Sequence, residues 1–93
     1  MNAPMYFLYI LKCTDASLYT GITTDVERRF KEHADGKGGN YTRSHGAEKI
    51  VHIEKCGDRS AALRREYEVK QMKKIQKQAL IFGEKNTELW ENI

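Results

Sequence analysis

The chain has 93 residues, 40% of them hydrophobic and 31% charged, with one Pro and a formal net charge of +3. A chain of this length buries only about 60–65% of its unfolded surface, so it supports one modest core, excludes a second domain and does not have the composition of a disordered tail. Its longest apolar run, residues 5–11, is far shorter than the roughly 18–20 residues that cross a bilayer, and the start lacks a basic leader and cleavage site.

No membrane association is therefore expected, and the location is read as cytoplasmic. Cys13 and Cys56 belong to no CxxC or Cys/His pattern, which argues against zinc, and a reducing compartment argues against a disulfide between them.

Residues 6–13 (YFLYILKC) and 18–23 (LYTGIT) are rich in aromatic and β-branched types and read as strands. Thr14, Asp15, Ala16 and Ser17 between them are turn residues, so the first unit is a β-hairpin. The loop length sets which side chains share a face. A three-residue loop at 14–16 pairs Leu11 with Tyr19 and Tyr9 with Gly21, bringing both tyrosines to one side, whereas a two-residue loop sends them to opposite sides.

Thr24 and Glu27 form a Thr-x-x-Glu capping box, and Val26, Phe30 and Ala34 repeat at helical spacing, which predicts a helix over about 25–34. Gly36, Gly38, Gly39 and Asn40 then open a flexible loop running to about Gly46. The alternation in 50–56 (IVHIEKC) predicts a third strand. Helices over about 60–73, capped by Ser60, and over 75–82, closed by Gly83, complete the order ββαβαα. The predicted fold is one α+β domain over 1–93, a small, largely antiparallel three-stranded sheet flanked by helices. Its core is placed at about 6–83, with a tail at 84–93 that holds Trp90, the only Trp.

Charge is unevenly distributed. Between Arg59 and Gln78 stand seven Lys/Arg against Glu66 and Glu68, a basic segment suited to a polyanion. At 100° per residue, Arg29 and His33 share the side of Val26 and Phe30, and Arg28 points nearly opposite. In the later helix Ala62, Leu63, Tyr67 and Val69 mark a core-facing arc, with Glu66 inside it and Lys70 one turn on. Each residue has a plain structural explanation: an i,i+4 ion pair for Glu66, a solvated charge for Arg29, a packed histidine for His33, ordinary hairpin packing for Tyr9 and Tyr19. Gly21 differs, because glycine weakens a strand interior unless another group must approach closely.

Together these residues resemble the GIY-YIG nuclease family. Phe7-Leu8-Tyr9 stands for GIY and Tyr19-Thr20-Gly21 for YIG; the family's helix arginine falls on Arg29, with His33 one turn on, and its metal-binding glutamate on Glu66 in LRREYEVKQ. The resemblance spans about 6–74 and looks closest to small stand-alone members, with SLYTGITTDVERR followed by KGGNYTR.

The resemblance implies an endonuclease that hydrolyses a phosphodiester of nucleic acid using Mg²⁺ or Mn²⁺; DNA is expected in preference to RNA, and the chain is expected to be a monomer. It implies Glu66 as metal ligand, Arg29 against the phosphate, Tyr9 with Tyr19 beside it at the attacking water, and His33 as relay. Positive charge from Arg29 and the metal is expected to lower the Tyr9 pKa. Arg43, Arg64, Arg65, Lys73, Lys74 and Lys77 are expected to hold flanking phosphates. Thr24 stands where several catalytic relatives carry lysine, and this motivates a second reading, a nucleic-acid-binding module of the same fold with weak or lost catalysis.

Overall fold

The computed structural model describes residues 3–83, so the tail at 84–93, with Trp90, lies outside the described residues. The elements are β1 (Tyr6–Cys13), β2 (Leu18–Thr23), α1 (Val26–Ala34), α2 (Asn40–His45), β3 (Ala47–Gly57), α3 (Arg59–Gln71) and α4 (Lys74–Ile81). The three strands form one antiparallel sheet in the order β2-β1-β3, and the α+β class matches the sequence reading.

The hairpin has the three-residue loop. Cys13 N–H donates to the Ser17 carbonyl at 2.8 Å, and Ala16 takes the left-handed conformation, φ 69°, that ends such a loop. Asp15 Oδ1 braces it by accepting from Ser17 N–H at 3.0 Å and from Ser17 Oγ–H at 2.6 Å. Leu11 accordingly pairs with Tyr19, and Tyr9 with Gly21.

Central β1 is covered on both faces, which accounts for its unbroken apolar run. Leu8 and Ile10 pack with Val51, Val69 and Ile81 on the α3 and α4 side. Tyr9 and Leu11 pack with Val26 and Ile53 on the other. Between Ile10 and Leu11 the β1–β3 register shifts, leaving Val51 as the extra residue of a bulge.

Several boundaries differ from expectation. The α1 N-cap is Asp25, whose Oδ1 accepts from Arg28 N–H at 3.0 Å, and the α3 N-cap is Asp58, which accepts from Ala61 N–H at 2.8 Å. In both places a carboxylate displaces the hydroxyl expected there, Thr24 or Ser60, because an ionised acceptor at a helix start is the stronger partner. Residues 40–45, expected as loop, form α2. Six residues with Thr42 alone buried carry no apolar periodicity to reveal a helix.

In α3 the sheet-facing row is Ala62, Glu66 and Val69, while Leu63 and Tyr67, placed in the core by the sequence reading, are 39% and 69% exposed. In α1, Ala34 is likewise exposed, and His33 takes the buried place.

Arg65 does not stand on a free basic face. Its Nε and Nη2 donate to the two carboxylate oxygens of Glu54 on β3 at 2.8 and 3.0 Å, and Nη1 reaches Glu68 at 3.3 Å. Burial raises the Glu54 pKa, but hydrogen bonds from His52 and Arg65 outweigh it and hold the carboxyl at about 2. Because the folded pKa is depressed, this stabilisation is complete above the ordinary value near 4.5 and is lost as pH falls toward about 2. Arg65→Met is expected to lower unfolding free energy by about 2–3 kcal/mol at pH 7, and by much less at pH 2.5, in urea titrations. An equal loss at both pH values would show that packing of the side chain, not the pair, carries the effect.

Candidate active site

Gly21 explains itself here. The Tyr9 side chain lies across β2 so closely that a Cβ on Gly21 would sit 2.5 Å from Tyr9 Oη and 2.7 Å from Cζ. With no side chain opposite it, the phenol reaches past the strand to α1. There Tyr9 Oη is hydrogen-bonded to His33 Nε2 at 2.9 Å, and His33 Nδ1 meets Thr42 Oγ1 on α2 at 2.6 Å. All three side chains are almost fully enclosed, with 2%, 1% and 1% of their surface exposed.

The chain Tyr9–His33–Thr42 is thus a buried polar line through three elements, with both imidazole nitrogens satisfied. Two proton placements satisfy it: Tyr9 donating to Nε2 with Nδ1–H donating to Thr42, or the reverse direction throughout.

Thr42 was missed by sequence reasoning. The available signal was its place in KGGNYTR, within a segment bracketed by glycines; Gly38 touches His33 so closely that any side chain there would overlap the imidazole ring.

Tyr19 is beside this line, its ring 6.3 Å from Tyr9 and 5.0 Å, edge-on, from His33. Arg29 turns inward as the helical phase predicts, donating to the Gly38 carbonyl at 2.8 Å and to Glu32 at 2.9 Å, while Arg28 is exposed. Arg29 also stands within hydrogen-bonding reach of the Tyr9 phenol, which ties the guanidinium to the Tyr9–His33 line.

Glu66 approaches from α3, near enough for its charge to act on Tyr9. Its carboxylate, one-fifth exposed, pairs with Lys70 at 3.2 Å. The structure therefore brings Tyr9, Tyr19, Arg29, His33 and Glu66 together around one edge of the sheet.

Arg29 lowers the Tyr9 pKa as expected, but its effect is outweighed. Burial dominates, Tyr19 and Glu66 act in the same direction, and Arg29 offsets only part, so the phenol is pushed up to about 12. Burial, followed by the charge of Arg29, pushes the His33 imidazole down. A neutral histidine thus faces a protonated tyrosine at neutral pH.

The basic residues are more dispersed. Arg43 is exposed on α2 and donates to Asn40; Arg64 is exposed and donates to Ser60 at 3.0 Å. Lys73 and Lys74 are exposed at the start of α4 with Lys77 half-buried one turn on, and Lys74 Nζ reaches the Ala16 carbonyl of the hairpin loop at 3.4 Å. No helix of the described residues is long and apolar enough to cross a membrane.

A GIY-YIG catalytic domain model matches residues 5–79. A UPF0213 protein of Cronobacter sakazakii is 51% identical over 79 residues, covering 85% of this chain and 83% of that one. The UPF0213 protein YhbQ of Escherichia coli is 51% identical over 76 residues, covering 82% and 76%. Among solved structures, the solution structure of the UPF0213 protein BH0048 from Bacillus halodurans is 45% identical with a TM-score of 0.54, covering 83% and 82%. That of EF2693 from E. faecalis is 38% identical with a TM-score of 0.57, covering 85% of each chain.

Proposed function

This chain belongs to the GIY-YIG family, a family of nucleases, and on that premise we propose that it is a divalent-metal-dependent endonuclease hydrolysing a phosphodiester of nucleic acid, DNA in preference to RNA. The observation that carries the reading is the buried hydrogen bond between Tyr9 and His33 at 2.9 Å, with Thr42 behind it. A line of this kind has no packing purpose that three apolar side chains would not serve better, and Arg29 and Glu66 both stand near enough for their charges to act on Tyr9.

The donor set suits a hard cation. Among the described residues no three His, Cys, Asp or Glu come together, so those residues offer no cage of the sort zinc or calcium takes. Glu66 contributes one half-buried carboxylate, which fits Mg²⁺ or Mn²⁺, ions that keep several waters and share phosphate oxygens. When bound, such an ion supplies charge neutralisation at the phosphate and the leaving oxygen.

The residues themselves divide the remaining work. Arg29 directs the N–H groups not engaged by Glu32, Gly38 and Tyr9 at the phosphate oxygens, where its planar fork is better matched than an ammonium. With Tyr9 protonated until about 12, the phenol serves as a shuttle and not as a free base. Its oxygen accepts a proton from the attacking water as its own proton passes to His33 Nε2, and His33 Nδ1–H donates to Thr42 Oγ1. The new P–O bond forms from the water oxygen and the bond to the leaving oxygen breaks; the leaving oxygen takes its proton from solvent, and the proton gained by His33 returns through Tyr9 to solvent. Tyr19 walls the shuttle from bulk water.

This direction of transfer requires neutral His33, so cleavage is expected to fall on the acid side with a midpoint below 6.5, the ordinary imidazole value from which burial and Arg29 lower it. No basic decline is expected before about pH 10, because Tyr9 keeps its proton. A rate profile on single-stranded, duplex, flap and RNA substrates, with Mg²⁺, Mn²⁺ or chelator, tests both claims. An acid midpoint above 6.5 would reverse the shuttle.

One observation favours the second reading, a binding module without efficient catalysis: Lys70 already neutralises Glu66 at 3.2 Å. Binding that weakens steeply with salt but no cleavage in any metal would establish it. We place the protein in the cytoplasm as a monomer, consistent with two free thiols, Cys13 and Cys56.

A further inference from the structure

α2 buries one residue, Thr42, yet it is fastened from several directions. Thr42 meets His33 at 2.6 Å, Thr14 Oγ–H donates to the His45 carbonyl at 2.7 Å, Thr14 N–H donates to the Gly46 carbonyl at 2.7 Å, and His45 Nδ1 is bonded to Asp15 on the hairpin loop. A six-residue helix has no independent stability, so these ties give it its position. What they hold at the surface is aromatic. The Tyr41 ring, 39% exposed, is stacked on the His45 imidazole with centroids 4.1 Å apart and planes 21° apart. On the inner side Tyr41 lies 5.7 Å from Tyr19, which lies 5.0 Å from His33. An aromatic column therefore runs from the buried Tyr9–His33 pair to solvent.

From this column we infer that Tyr41 and His45 form a stacking platform for an unpaired nucleobase next to the scissile phosphate, and hence that the site takes single-stranded or locally unpaired DNA. The inference rests on the nuclease reading above for its polymer. Its own support is that a near-parallel aromatic pair, rigidly held and partly open to solvent, matches the face of a base, while bases inside a duplex have no free face to offer. Arg43, exposed on the same short helix, adds positive charge for a flanking phosphate.

The full chain in chelator, where no cleavage intrudes, can be titrated by fluorescence anisotropy against a single-stranded DNA oligonucleotide, the same sequence as duplex, and the same strand with abasic positions. The single strand is expected to bind most tightly. Tyr41→Ala is expected to weaken it about 5- to 100-fold, the loss of one stacked base, and to leave the duplex and the abasic strand nearly unchanged. Tyr41→Trp is expected to restore the affinity. Tyr41→Leu, which keeps the apolar bulk against Tyr19, guards against a simple folding defect and is expected to bind like Tyr41→Ala with a wild-type melting temperature.

Equal weakening of all three ligands, or none, overturns the platform. Failure of the nuclease reading alone looks different: base-dependent binding persists while the metal-loaded protein cleaves nothing.

Discussion

Replacing Glu66 by Gln is expected to lower metal-dependent cleavage by a factor of about 10³ or more, while the fold and the affinity for nucleic acid stay nearly intact. The size follows from the several kcal/mol that cation charge contributes to a phosphoryl transition state, at about 1.4 kcal/mol per tenfold in rate. The selectivity follows from geometry. Glu66 occupies the sheet-facing row of α3 between Ala62 and Val69, and its partner is Lys70, half exposed, at 3.2 Å.

Gln keeps the volume and one oxygen but loses the charge. The lost helical ion pair is worth only about 0.3–0.5 kcal/mol. The test measures single-turnover cleavage over a series of Mg²⁺ and Mn²⁺ concentrations beside a thermal melt. Cleavage within tenfold of the unaltered protein would remove Glu66 from the reaction, and recovery at very high metal would identify the defect as one of affinity.

Much of this site was legible because it rests on periodicities. The helical phase separates Arg29 from Arg28, and strand alternation reduces the facing of Tyr9 and Tyr19 to a choice between two hairpin loop lengths, which the Cys13–Ser17 bond decides. Neither needs tertiary information. Thr42 and Tyr41 were not legible for the converse reason: their helix has no apolar period of its own and is assembled by contacts with His33, Thr14 and Asp15, distant in sequence.

Arg65 misled in another way. A run of Lys and Arg on a helix reads as a solvated face, and nothing local distinguishes the one guanidinium that finds Glu54 on β3. The direction of the Tyr9 pKa also depends on burial, which a list of neighbouring charges does not reveal.

Gly21→Ala is expected to lower cleavage by about 10²-fold, although it adds a single methyl group. Gly21 does not take the left-handed backbone conformation, and Ala suits a strand better than Gly, so backbone preference favours the substitution. The obstacle is Tyr9, whose Oη, Cζ and Cε1 would lie 2.5, 2.7 and 3.1 Å from the new Cβ. Enclosed with 2% exposure against His33, the ring cannot simply swing outward. Overpacking of this kind costs about 1–3 kcal/mol of stability, and displacing a reacting group by about an ångström costs about 10² in rate.

Tyr9→Phe separates the two effects. Phe retains Cζ and therefore the clash, but it has no hydroxyl to shuttle a proton. On the Tyr9→Phe background, Gly21→Ala is expected to depress the melting temperature as before and to reduce the already low rate no further, because both substitutions act on the same hydroxyl. If the rate losses multiply, Gly21 acts on catalysis by some route other than the position of Tyr9. If Gly21→Ala alone cleaves at the unaltered rate, the Tyr9 hydroxyl has no part in moving the proton.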